Sequence, residues 1–340
     1  MDPITHVLFG ALLAVLSGVH YKYGPAATAA LMLASLLPDL DALSIILGPK
    51  YYFLYSRVLF HSLGGAFLLG LGFAAALYLF TPLKDFRLML ALSLAGVLLH
   101  LAVDLLSSWQ MPILSPFDPH RYSLDLVWFI NLPILLVIIG ALLWVRAEPR
   151  SARLIAGMAL ALITVYVAFR FYQQRTIVNF VQRNMLSQDS SALVGVLPSQ
   201  MEFFTWHAVV RQDDGYLVHN VHFCLIPRGM RTLSGGAGGT RVLSSQDVHT
   251  SLEPEIVPVS QEAELTKAFL ENARFPVAFV KKRGNGYQVE WQDVHLMFAG
   301  GVIRGVVVYV GRDGQIIQQW PKLKPELERL DPYQYYGEKP

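Results

Sequence analysis

The chain has 340 residues, of which 54% are hydrophobic and only 15% charged, against about 25% charged in a soluble domain, so it does not read as one soluble globule. A net charge of +2 is too small to argue for nucleic acid, and the single Cys224 excludes an intramolecular disulfide and a thiolate zinc knot.

The charge deficit lies in the first half. A bilayer core of ~30 Å needs about 20 apolar residues in helix, and the runs predict six spans, near 5–21, 25–48, 58–80, 86–108, 126–146 and 151–171. The opening Met1-Asp2-Pro3-Ile4-Thr5-His6 lacks the basic start of a signal peptide, so the first segment is expected to stay as a membrane helix. Pro38 removes a backbone donor inside the second segment, which is expected to kink or end there. Gly64, Gly65, Gly70 and Gly72 in the third permit close helix packing. The loop from Ser107 to Asp125 is rich in special residues, among them Pro112, Pro116, Asp118, Pro119, His120 and Arg121, and could form a lid or substrate wall.

After about residue 172 the pattern changes. Phe203–Arg211 and Tyr216–Ile226 flank Gln212-Asp213-Asp214-Gly215, a hairpin signal. Leu233–Gly239 is a glycine-rich loop, and Gln261–Ala273 has helical periodicity. Val277–Lys282 pairs with Tyr287–Val294 across a Gly284-Asn285-Gly286 turn, and Val302–Val310 with Gln315–Trp320 across Arg312-Asp313-Gly314. The fold expected is mainly α: a polytopic helical membrane domain over 1–172, then a smaller α+β domain with an antiparallel sheet over 173–340. Lys and Arg favour the cytoplasmic side. Discounting Arg57 and Arg121, their distribution puts the polar residues described next, and the C-terminal domain, on the non-cytoplasmic side.

His6, Asp39, Asp41, His61, His100 and Asp104 are residues that membrane segments avoid. His6 opens the first span, Asp39 and Asp41 sit late in the second, His61 early in the third, and His100 and Asp104 late in the fourth. Alternating topology brings all six to one face of the membrane. His100 and Asp104 are spaced i, i+4, so they share a helix face and could reach one ion. Singly, each has a plainer reading: an interhelical hydrogen bond, a helix end, an interfacial histidine. Jointly, the coincidence argues for an ion site. Imidazole and carboxylate without thiolate suit zinc first, then manganese or iron(II). Three His and three Asp exceed one tetrahedral shell, so either two ions share them or one Asp, Asp41 being a candidate, is a general base. A metal-bound water can attack an ester near neutral pH. Arg57, four residues before His61 and on the same face if helical, could bind a phosphate or anchor to headgroups. Asp118, His120 and Asp125 read as turn or cap residues. His207, His219, His222 and His295 give no metal spacing.

These motifs resemble the YdjM-like (DUF457-type) family of membrane-bound metal-dependent hydrolases. The resemblance is carried by Met1-Asp2-Pro3-Ile4-Thr5-His6, Pro38-Asp39-Leu40-Asp41, Ser56-Arg57-Val58-Leu59-Phe60-His61-Ser62, His100-Leu101-Ala102-Val103-Asp104 and the loop Trp109–Asp125, over roughly residues 1–145. The third motif usually opens with histidine, where this chain has Ser56. The family is similar in motif content to zinc-dependent phospholipase C-like enzymes. That implies a multi-pass inner-membrane enzyme hydrolysing a phosphoester or lipid headgroup, with membrane lipids as surroundings and no nucleic acid. Two other classes stay open: a transporter built on the broken second span, and a non-catalytic anchor whose C-terminal domain binds a partner.

Overall fold

A computed structural model describes residues 1–81, 84–186, 192–200, 202–213, 215–224, 240–250, 255–299 and 303–323. The glycine-rich 233–239 loop and Asp214 lie outside them. The chain divides into two compact units, Met1–Leu43 with Tyr55–Gln173, and Ser44–Leu54 with Gln174–Pro340.

In the first unit the helices start where the sequence caps them. Helix α1 (Pro3–Ser17) opens on Asp2, whose carboxylate accepts from the Thr5 amide at 3.0 Å, with Pro3 in the first turn. It ends at Gly18 (φ 76°), whose amide donates to the Val15 carbonyl. Helix α2 (Val19–Ala34) is broken at Gly24 (φ 79°) before Pro25. It stops four residues ahead of Pro38, at Ala34, and a 3₁₀ segment, Leu37–Leu47, follows, bent by 50°. Proline disfavours helical backbone before it and supplies no amide. After α3 (Pro49–Tyr55), helices α4 (Leu63–Phe80), α5 (Phe86–Leu105) and α6 (Leu132–Ala147) start on Ser62, Asp85 and Asn131, each accepting from an amide two or three residues on. Helix α7 runs from Ala152 to Asn184.

Among the described residues three helical stretches, Leu63–Phe80, Phe86–Leu105 and Pro149–Asn184, are long and apolar enough to cross a membrane, with a fourth if the bent pair Val19–Ala34 and Leu37–Leu47 counts as one span. The helices α1 and α6, at 15 and 16 residues, fall short of that length. Half of the apolar stretch of α5 is buried against 17% of that of α4, which makes α5 the inner helix. Val103 joins Phe9, Leu12, Ile134, Ile138, Ile155 and Ala156. On another side Met89 and Leu92 pack with Ala27, Ala30, Leu31 and Ala74. Of the four glycines expected to permit close helix packing, Gly70 does so, a Cβ there striking the Leu94 side chain of α5; one on Gly65 would strike the Leu59 carbonyl in the turn before α4, and Gly64 and Gly72 face open space. Another close helix contact is at Gly96, where a Cβ would lie 2.5 Å from the Ala34 Cβ and 2.8 Å from the Ser35 nitrogen.

The second unit holds two antiparallel four-stranded sheets, not one. The first runs in order β1 (Ala192–Pro198), β2 (Thr205–Gln212), β3 (Gly215–Phe223), β4 (Thr240–His249). The second runs β5 (Pro276–Arg283), β6 (Gly286–Asp293), β7 (Ile303–Gly311), β8 (Ile316–Leu323). Helices α8 (Ile256–Gln261) and α9 (Glu264–Leu270) precede the second sheet, and α10 (Val294–Ala299) connects β6 to β7. Val209, Tyr216, Val218 and Val248 share a core with Phe275, Val277 and Val294. The segment Ser44–Leu54 belongs here because α3 docks on α9: Phe53 meets the Phe269 ring at 5.5 Å, Asn272 donates to the Phe53 carbonyl, and Lys50 pairs with Glu264. Both β1 and β4 escape the sequence pattern, because Gly195 and a terminal Pro198 dilute β1 while Thr240–His249 is largely polar and exposed.

On the second sheet Glu290 accepts from Lys322 and lies 3.6 Å from Lys281. Burial pushes its carboxyl up, but the two ammonium groups outweigh burial and hold it below the usual range. An acid with a lowered folded pKa adds stability that is present above its unfolded pKa of about 4.5 and is lost as pH falls through the lower folded value. Glu290→Gln should therefore cost about 1–2 kcal/mol near neutral pH and flatten the acid limb of a thermal-unfolding series. An unchanged acid limb would remove Glu290 from that role.

Candidate metal centre

The six polar residues expected at one rim meet in the first unit. Asp104, one residue from the end of α5, is the hub and is fully buried. One of its oxygens accepts from the Met1 amino group and lies 3.0 Å from His6 Nε2. The other accepts from Arg57 Nη1 at 2.6 Å and lies 3.6 Å from His61 Nε2 and 3.7 Å from His100 Nε2. His6, His61 and His100 are each at most 1% exposed. The His6 and His100 rings stack at 3.8 Å, and Asp39 Oδ1 lies 3.8 Å from His100 Nε2. Among the described residues two groups have ligand atoms all within 4.8 Å of one another: His6, Asp39 and His100, and His61, His100 and Asp104.

The ring hydrogen bonds decide which nitrogen faces inward. His100 Nδ1 is 2.8 Å from the Ser35 carbonyl, which can only accept, so Nδ1 carries the proton and Nε2 the lone pair. His61 Nδ1 is 3.0 Å from Asp41 Oδ2 and donates to that carboxylate, so its Nε2 also presents a lone pair. The two Nε2 atoms face each other at 3.3 Å. Two ring lone pairs at that distance repel unless a cation sits between them. Two nitrogens bound tetrahedrally to one zinc at ~2.0–2.1 Å would be about 3.3 Å apart, so the spacing fits. Two buried atoms of the cluster, His6 Nδ1 and Asp39 Oδ2, have no hydrogen-bond partner, which also fits residues built around a ligand.

Three positions differ from the sequence expectation. His61 is not inside a helix. It sits in the turn before α4, one residue ahead of the Ser62 cap. Arg57 therefore does not share a helical face with His61. It reaches Asp104 because its backbone adopts the left-handed region (φ 58°), a conformation costing roughly 1–3 kcal/mol for a residue with a Cβ, and its guanidinium lies 5.3 Å from the Trp109 ring centre. Asp41, expected to be a ligand or a general base, stands outside both groups. Its carboxylate accepts from the Phe60 amide at 3.1 Å as well as from His61, so these contacts face the loop and not the two ligand groups.

The long loop is tied back by its own bonds. Asp118 accepts from the His120 amide and the Tyr122 hydroxyl, as a turn residue does, and the Leu63 amide donates to the Ile113 carbonyl. Among residues the motifs did not flag, Ser35 stands out. Its carbonyl holds His100, and its hydroxyl lies 2.9 Å from the His6 carbonyl. Its only sequence signal is the Ala34-Ser35 pair of small residues, because its partners are far away in the chain.

A sequence-family model described as "YdjM inner membrane protein" matches residues 1–177 of the 340. The chain belongs to the YdjM inner membrane protein family. The match covers the helical unit and every residue of the candidate metal centre. A relative from Bacillus subtilis strain 168, "Uncharacterized protein YfhP", is 29% identical over 133 residues, which is 37% of this chain and 41% of that protein. No solved structure matches.

Proposed function

We propose that this YdjM-family protein is a metal-dependent hydrolase of the membrane face, acting on a phosphoester, with a lipid headgroup as one source of that chemistry. The observation that carries the reading is the pair of inward Nε2 lone pairs 3.3 Å apart, beside a buried carboxylate. His61, His100 and Asp104 would hold the ion, with His6 and Asp39 beside them. Two imidazoles and a carboxylate, with a fourth position open, is the donor pattern of catalytic zinc, and manganese or iron(II) are the alternatives. A bound divalent ion supplies Lewis acidity to an ester.

The chain's own residues supply the rest. Arg57 and Asp39, with side chains 15% and 22% exposed, are the members of the cluster that reach the surface. Arg57 would meet an incoming anion and hold it against the ion, with Trp109 fixing the guanidinium plane. The buried histidines keep bulk water from the metal. The bent second span is the feature that favours a transporter instead. Against it, His6 and Asp104 lie in the end turns of α1 and α5 and not mid-helix. In this reading α1 and α6 also cross the bilayer, making six passes, with the short α1 screened from lipid by its packing on α5, α6 and α7. The metal centre and the C-terminal unit would lie on the non-cytoplasmic side.

Purified protein should contain a divalent metal at a stoichiometric level, and a His100→Ala variant that still inserts should lose it. The wild type should turn over a phosphoester from a panel of p-nitrophenyl phosphate, bis(p-nitrophenyl) phosphate and phospholipid vesicles. Metal without turnover on any of these would favour a structural ion in a membrane anchor. Full activity in His100→Ala would end the hydrolase assignment.

A further inference from the structure

We infer that Asp41 is a positioning residue that acts on the ion through His61, and that the hydrogen bonds around the two rings limit the tight site to one ion. The inference rests on the metal reading above. His61 lies in a turn, so no helix fixes its ring, and an imidazole left alone can present either nitrogen. Asp41 removes that freedom twice. Its carboxylate takes the Nδ1 proton at 3.0 Å and also accepts from the amide of Phe60, the residue just before His61. Backbone and ring are held by one side chain, and Nε2 is aimed at its counterpart on His100. A carboxylate behind an imidazole also makes the ligating nitrogen more basic. His100 has the equivalent support from an uncharged group, the Ser35 carbonyl.

The same bonds count the lone pairs. With each Nδ1 committed as a donor, His61 and His100 offer one nitrogen apiece, and the two nitrogens converge on one point. His100 is common to both candidate groups, yet it can serve one ion only. Without it, a second ion beside the first would find only His6 and Asp39 from its own group, and the Asp104 oxygen next to His6 already accepts from the Met1 amino group. One divalent cation is therefore bound tightly.

The test uses the full chain in detergent, with Zn²⁺ and Co²⁺ as the probes. Wild type is expected to bind one tight equivalent. Asp41→Asn keeps an acceptor for His61 but loses the charge, and should still bind one equivalent with roughly 10–100-fold lower affinity and a shifted Co²⁺ visible spectrum. Asp41→Ala should bind more weakly than Asp41→Asn, and if it fails to fold, Asp41→Asn alone decides. His6→Ala should retain one equivalent. Two tight equivalents in the wild type, or Asp41 variants with wild-type affinity and spectrum, would overturn this inference while leaving the metal reading intact. Abolished binding in Asp41→Asn with its fold preserved would make Asp41 a direct ligand, and would also overturn it. A wild type that binds neither metal overturns both.

Discussion

Asp104→Ala is expected to strip the protein of its metal and to cost the helical unit roughly 3–5 kcal/mol, the range for removing one partner of a buried ion pair. The carboxylate is fully buried and faces two cationic groups, the Met1 amine and Arg57, as well as His6. Removing it leaves those charges facing each other in a low-dielectric interior. It also takes an oxygen from the group formed with His61 and His100. Losing one of a few ligands to a tightly bound ion is worth on the order of 3–4 kcal/mol, or two to three decades of affinity. Elemental analysis and thermal unfolding in detergent would measure both effects. Asp104→Asn separates them, since it keeps the shape and loses the charge. A metal-replete Asp104→Ala protein with an unshifted melting temperature would show that the cluster is polar packing and not an ion site.

Gly96→Ala should be the second large effect, although alanine is the better helix former by about 1 kcal/mol. The added methyl would fall 2.5 Å from the Ala34 Cβ and 2.8–2.9 Å from backbone atoms of Ser35 and Leu31. Backbone cannot rotate aside, so α2 and α5 must separate, at a cost of typically 1–3 kcal/mol for an overpacked site. The separation would also pull the Ser35 carbonyl from His100 Nδ1, one helical turn along α5. Metal affinity should fall together with stability. Gly72→Ala is the control of opposite sign: nothing lies within 4 Å of its Cβ position, so only the gain in helix propensity remains. If Gly96→Ala instead stabilised the protein and bound metal as the wild type does, the crossing at Ser35 would not be what holds His100.

Much of the candidate site was legible before any coordinates. The ionisable residues set in apolar runs pointed to His6, Asp39, His61, His100 and Asp104 meeting, and the structure brings these five together. Pro38 correctly marked the end of regular helix in the second segment. The route of Arg57 was not legible. An i, i+4 spacing says nothing once the segment leaves the helix, and a left-handed arginine has no sequence signature. Nor was the place of Asp41, since one residue in a Pro-Asp-x-Asp motif looks like the other until the His61 ring is seen beside it.

What the amino-acid sequence alone determined is the membrane-helical character of the first half, the strand-rich character of the second, and the identity of the side chains that gather at one rim. These follow from hydropathy, from the periods of helix and strand, and from the cost of putting ionisable groups in apolar segments, all of which are local properties of the chain. The tertiary structure decided which nitrogen of each imidazole turns inward, which carboxylate stands behind a histidine, and that the C-terminal strands form two sheets and not one. Those outcomes depend on partners 20 to 65 residues apart in the chain, such as Ser35 for His100 and Asp41 for His61, and a hydrogen bond's direction exists only once both ends are in place.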